Sequence, residues 1–162
     1  MHRIFESGLA RLSCLWITAM LALTSIHHIF RLGYGLLIPT LILTLLPYAL
    51  LRWYAATRNT AVMKIYSVYS ALMFVWFGLI DGFLDHVLKV LGLENLTFLP
   101  GGEAEVVKTA LSLWSPAAGQ VFYEGTGVLT FIAGVFGMVY LVLMIRAKHA
   151  ADRTEQLNML HN

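Results

Sequence analysis

Four apolar stretches, at residues 8–30, 33–54, 61–91 and 116–145, take up most of this 162-residue chain. Each exceeds the roughly 20 residues that an α-helix needs to cross a bilayer core. Backbone amides in hydrocarbon must find partners within their own segment, so stretches of this kind are helices and not strands. The expected fold is an all-α integral membrane protein, a single transmembrane domain over residues 1–162 built as a four-helix bundle. Composition agrees: 59% of the residues are hydrophobic and only 12% are charged, about half the charged share of a soluble domain. A net charge of +2 without any Lys/Arg-rich tract excludes nucleic acid as a partner and leaves membrane lipids.

The first stretch has the basic start and apolar run of a signal peptide. Its apolar character continues through Ile26 and Ile29, and the chain then turns directly into the second stretch. We therefore read it as a retained span. The turn at Arg31-Leu32-Gly33 is short, which makes the first two spans an antiparallel hairpin.

Basic residues give the orientation. With both termini inside, the inner side carries Arg3, Arg11, Arg52, Arg58, Lys64, Arg146, Lys148 and Arg153. The outer side carries only Arg31, Lys89 and Lys108. That asymmetry predicts an N-in, C-in protein of a plasma membrane, a bacterial inner membrane with its outer face toward the periplasm. The long outer connection contains EAEVVKTALSLW, residues 103–114, which puts Val106, Val107, Ala110, Leu111 and Trp114 on one helical face. The pattern predicts an amphipathic helix in the interface, a connector or a lid. Ser115-Pro116 reads as an N-cap followed by a first-turn proline. Residues 146–162 form a polar cytoplasmic tail.

Ionisable residues inside the apolar stretches are expensive in lipid and need an explanation. Counted from the inner basic residues at about 1.5 Å per residue, His27 and Asp81 lie roughly 24–25 Å up, and Asp85 and Glu124 roughly 31–33 Å up. Three helices thus bring ionisable groups to the outer half of the membrane. Close helix approach uses small residues, and each group extends a small-residue face. Span one has Cys14, Thr18, Ala22 and Ser25, continued by His28. Span three has Ser67, Ser70, Phe74, Gly78, Asp81 and Asp85, and span four has Glu124, Gly127, Thr130, Gly134 and Gly137. His27 and His86 stand about 100° round from His28 and Asp85, at the edge of the same cavity.

His27, His28, His86, Asp81, Asp85 and Glu124 together form the ligand set of a borderline divalent ion: zinc, iron, manganese or copper(II). The expectation is a metal site open to the outer face, for metal handling or for chemistry on a membrane-soluble substrate. Asp85 or Glu124 would then act as general base. The set matches no short motif; CxxC, GxGxxG, GxxxxGK[ST], HExxH and GxSxG are all absent. Duller readings exist for each residue. The histidines can be interfacial, Asp85 can pair with Lys89 as a solvated ion pair, Asp81 can pair with Arg31, and Glu124 can sit among headgroups.

Three other functions compete. One is a b-type haem between His28 (or His27) and His86 in an electron-transfer protein. Another is a non-catalytic subunit of a larger membrane complex or a homo-oligomer, with an ion-pair network at this depth. The third is a proton-coupled carrier using Asp81 and Glu124. Elsewhere, Pro39 and Pro47 predict kinks in span two, with Thr40 and Thr44 covering the freed carbonyls. Tyr34, Tyr48, Trp53 and Tyr54 read as interfacial belts. Met63, Met73, Met138 and Met144 read as packing, and His2, His149 and His161 as solvated. The single cysteine, Cys14, cannot form an internal disulfide.

Overall fold

The computed structural model describes residues 8–93 and 115–160. The amphipathic helix expected at 103–114 lies outside them. All regular structure among the described residues is helical. Helix α1 spans Gly8–Leu32 and ends at Gly33, whose φ of 92° reverses the chain. A 3-10 turn, Tyr34–Leu36, leads into α2, Leu37–Thr57. Arg58, in the left-handed region, closes α2, and the Asn59 side chain accepts from Ala61 N–H at 2.9 Å to start α3, Thr60–Met73. The same rod continues as a π-helix, Phe74–Val87, and one α-turn, α4, Leu88–Val90. Helix α5 spans Pro116–Leu160, with the Ser115 hydroxyl accepting from Ala118 N–H as its cap.

Four helices are long and apolar enough to cross a membrane. The expected segments hold, with one extension. Helix α5 runs 45 residues without a break, so most of the polar tail is a continuation of the last span and not a separate element. At about 1.5 Å per residue that rod is roughly 68 Å long, about twice a hydrocarbon core.

Helix α1 lies in the centre, against α5, α2 and the π-helix. The bundle is layered along its length. At the end with the Arg58–Asn59 turn, Ala10, Leu50, Leu51, Tyr54, Val62, Tyr66, Leu141 and Met144 form an apolar layer. Ile17, Met20, Leu21 and Ala133 fill the middle. The polar layer follows at the Gly33 end. Outside, α2 turns Leu37, Ile38, Leu41, Ile42 and Leu45 outward, an apolar surface suited to lipid.

Two local expectations change. Tyr34, Tyr48 and Trp53 are exposed, as an interfacial belt requires, but Tyr54 is buried in the apolar layer. Pro47 lacks the N–H that would bond Leu43 O, and the Tyr69 hydroxyl on α3 donates to that carbonyl at 2.8 Å. Thr44 instead pairs with Ser25 on α1 at 3.1 Å. Thr40 does cap a carbonyl, that of Leu36, at 2.8 Å.

Candidate metal centre

The small-residue stripe of α1 does not point where its composition suggested. Ser25 contacts Thr44, and Cys14 and Thr18 line a cleft shared with α2 residues Leu45, Tyr48 and Leu51. The face turned to α5 and the π-helix is the larger one: Ser13, Ile17, Met20, Thr24, His27 and Arg31. His27 is therefore fully buried, whereas His28 sits at the edge with 21% of its side chain exposed. This reverses the expected order of the two rings.

On the π-helix, hydrogen bonding runs from residue i to i+5, so residues four and five apart flank one line. Asp81, Asp85 and His86 share that line, and all three are at most 2% exposed. In an α-helix His86 would point well away from Asp81. Here both face α1 and α5. Gly82 lets α5 come close, since a Cβ there would lie 3.0 Å from the Phe131 nitrogen and 3.1 Å from the Gly127 carbonyl. Gly127 clears the space of the His86 ring, which a side chain at 127 would overlap. Further along the same α5 face, Gly134 accommodates Met20 and Phe74, and Gly137 accommodates Ile17.

The three imidazoles are each held by one nitrogen. His27 Nδ1 donates to the Tyr123 carbonyl at 3.1 Å, with the Thr126 hydroxyl at the same distance. His28 Nδ1 donates to the Thr24 carbonyl at 2.9 Å. His86 Nδ1 meets Glu124 Oε2 at 2.7 Å. A carbonyl oxygen only accepts, so the proton of a neutral His27 or His28 is on Nδ1, and Nε2 keeps its lone pair. That second nitrogen faces the carboxylates: His28 Nε2 is 3.9 Å from Asp81 Oδ1, and His86 Nε2 is 3.8 Å from Asp85 Oδ2. Both separations are too long for hydrogen bonds. His27 Nε2, His86 Nε2 and Asp81 Oδ1 are buried with no hydrogen-bond partner among the described residues.

Two sets of potential ligand atoms lie within 4.8 Å of one another: His27 with His28 and Asp81, and Asp81 with Asp85 and His86. Zinc or iron bonds of about 2.0–2.2 Å place ligand atoms at most roughly 4 Å apart across an ion. The 4.8 Å limit of each set exceeds that by less than 1 Å.

The surrounding residues complete the electrostatics. Lys89 Nζ lies 3.4 Å from Asp85 Oδ1 and 3.2 Å from Glu124 Oε1. The Asp85–Lys89 pair exists, but it is buried at its acidic end and tied to a third group, not solvated as the duller reading had it. Asp81 accepts from the Thr24 hydroxyl at 3.4 Å, and Arg31 Nη1 donates to the Tyr123 hydroxyl at 3.1 Å. Glu124 is half-buried and braces His86 and Lys89.

Tyr123, Thr126 and Thr24 did not stand out in the sequence. Tyr123 is fully buried, stacks on His27 with ring centroids 3.9 Å apart, and lends it a backbone carbonyl. Only its place one residue before Glu124, on the start of span four, hinted at a role. A groove of about 780 Å³ beside Lys89 and Glu124 is lined by Val90, Ala117, Gln120 and Val121. Comparison of the chain with protein-family models, with curated proteins and with solved structures finds no match.

Proposed function

We propose that this protein is a membrane-embedded metal protein whose ion is held by His27, His28, Asp81, Asp85 and His86. The observation that carries the reading is the shared anchoring of the three imidazoles. Each gives Nδ1 to the protein, and Nε2 of His28 and of His86 lies within 4 Å of a buried carboxylate. Metal-binding histidines are held this way: a carbonyl or carboxylate takes the distal N–H and fixes the ring. Glu124 acts as such an orienting group on His86 rather than as a ligand. A mixed nitrogen and oxygen donor set without thiolate suits zinc, iron, manganese or copper(II).

The unpartnered buried atoms weigh against a purely structural ion-pair network, because a closed network bonds its members. The haem reading is disfavoured for the inner pair. His27 and His86 are in edge contact, with centroids 4.6 Å apart, which leaves no slot for a macrocycle between them.

In the orientation expected from the basic residues, the centre lies in the outer half of the membrane, toward the periplasmic side. The groove beside Lys89 is apolar on one side and polar at Gln120, Lys89 and Glu124. That lining fits an amphiphilic, membrane-soluble substrate or a metal in transit. A bound ion would supply Lewis-acid chemistry, and Glu124, held by Lys89 and not itself a ligand, would be the carboxylate placed to accept a proton.

The test is elemental analysis with an absorption spectrum on purified protein, repeated for Asp81→Ala and His28→Ala. Wild type is expected to carry a transition metal that Asp81→Ala loses and His28→Ala binds in smaller amount. Metal-free wild type, or equal metal in all three proteins, overturns the proposal. A strong Soret band identifies haem instead.

A further inference from the structure

The two ligand sets share one residue, Asp81. From this we infer that the centre binds two metal ions, bridged by the Asp81 carboxylate. This rests on the metal reading above and adds a second site to it. His27 and His28 serve one ion, Asp85 and His86 the other, and Asp81 gives one oxygen to each.

The arrangement of donors argues for two positions rather than one. A single ion would have to gather five side chains from α1 and the π-helix. The groups instead fall into two triads, one containing both α1 histidines and the other lying wholly on the π-helix. Both oxygens of Asp81 meet α1, Oδ1 with His28 at 3.9 Å and Oδ2 with Thr24 at 3.4 Å, while Asp85 turns Oδ1 toward Lys89 and Oδ2 toward His86. His27 and His86 stand in edge contact across the junction of the triads.

One divalent ion would balance Asp81, Asp85, Glu124 and Lys89, so charge bears on the ligand of a two-ion centre and not on the count. Two divalent ions bring four positive charges against Asp81, Asp85 and Glu124, with Lys89 offsetting one of the three. A site of that net charge binds anionic groups, and carboxylate-bridged ions about 3.5–4 Å apart clamp both oxygens of a displacement at phosphorus or carbon. The ligand class of such a centre is therefore an anionic oxygen compound.

The experiment uses full-length protein in detergent, stripped with a chelator, reloaded with Mn²⁺ and freed of excess ion. The expected content is two Mn²⁺ per chain, with the multiline EPR spectrum of an exchange-coupled pair. Asp85→Asn and His28→Ala should each retain one, with the spectrum of an isolated ion, and Asp81→Ala should retain none. Ser70→Ala, outside both triads, should retain two. One Mn²⁺ per chain in the wild type overturns the second site and leaves the single centre standing. No Mn²⁺ in the wild type, after reloading with zinc also fails, overturns both. Two ions that persist in every variant are adventitious and overturn both as well. The wild-type EPR spectrum decides the question even if a variant fails to fold.

Discussion

The two ends of the bundle are built on opposite principles. Around the Arg58–Asn59 turn, α1, α2, α3 and α5 meet through close-packed apolar side chains, and the buried Ser13 and Tyr66 hydroxyls satisfy each other at 2.8 Å. Toward the Gly33 turn, α1, the π-helix and α5 enclose two histidines, two aspartates, an arginine and three threonines, with His28 at the edge. There, several polar atoms are buried without hydrogen bonds among the described residues. Helices in lipid gain little from hydrophobic burial and associate through packing and hydrogen bonds. The first end meets that requirement by itself. The second end leaves polar atoms unmet, which costs free energy unless another species completes them. A bundle that needed only to stand would have two ends like the first.

The contrast can be broken most severely at Gly127. In Gly127→Val the new side chain overlaps the His86 ring, so metal content should fall at least a hundredfold while the apolar end keeps its packing. Metal analysis beside helical content by circular dichroism checks this. Retained metal would show that His86 is not a ligand. The converse substitution is Met144→Ala, in the fully buried apolar layer. It should lower stability by about 2–5 kcal/mol, as large-to-small core changes do, and leave metal content unchanged. Unfolding in mixed micelles gives the first value and elemental analysis the second.

A smaller effect belongs to Glu124→Gln. An amide in place of the carboxylate weakens the hold on His86 Nδ1, and loss of such an orienting partner lowers metal affinity about 10- to 100-fold. Competition with a chromophoric chelator measures it, and an unchanged affinity would remove Glu124 from the site. The mildest is Tyr69→Phe, which strands the Leu43 carbonyl freed by Pro47. Its cost should be about 1 kcal/mol. In a Pro47→Ala background the new N–H bonds Leu43 O, and the cost should shrink toward zero.

The spans were legible because hydrocarbon thickness imposes a length and backbone satisfaction imposes a helix. The meeting of His27, His28, Asp81, Asp85, His86 and Glu124 was legible for a related reason: charges in an apolar run must find one another. Which histidine goes inside was not. Small residues at Cys14, Thr18 and Ser25 signal close approach, but not to which neighbour, and they serve α2. His27 follows the bulkier face of Ile17 and Met20, which the glycines of α5 receive. The joint burial of Asp85 and His86 was also hidden, because neighbours on an α-helix diverge and only the wider π-helix lets both face Asp81. Nor does composition announce that a tyrosine on α3 repairs the proline on α2. That pairing exists only once the two helices are side by side.

The widened stretch between Phe74 and Val87 has a consequence for how the chain can vary. Removing a single residue upstream of Asp81 would let the helix tighten to ordinary α winding. Everything beyond the deletion would then swing by about 100°. Asp81, Asp85 and His86 would no longer face the interior as a set, though none of them had been altered. The spacing of the chain through this turn, as much as the identity of any ligand, sets whether the three arrive at one place.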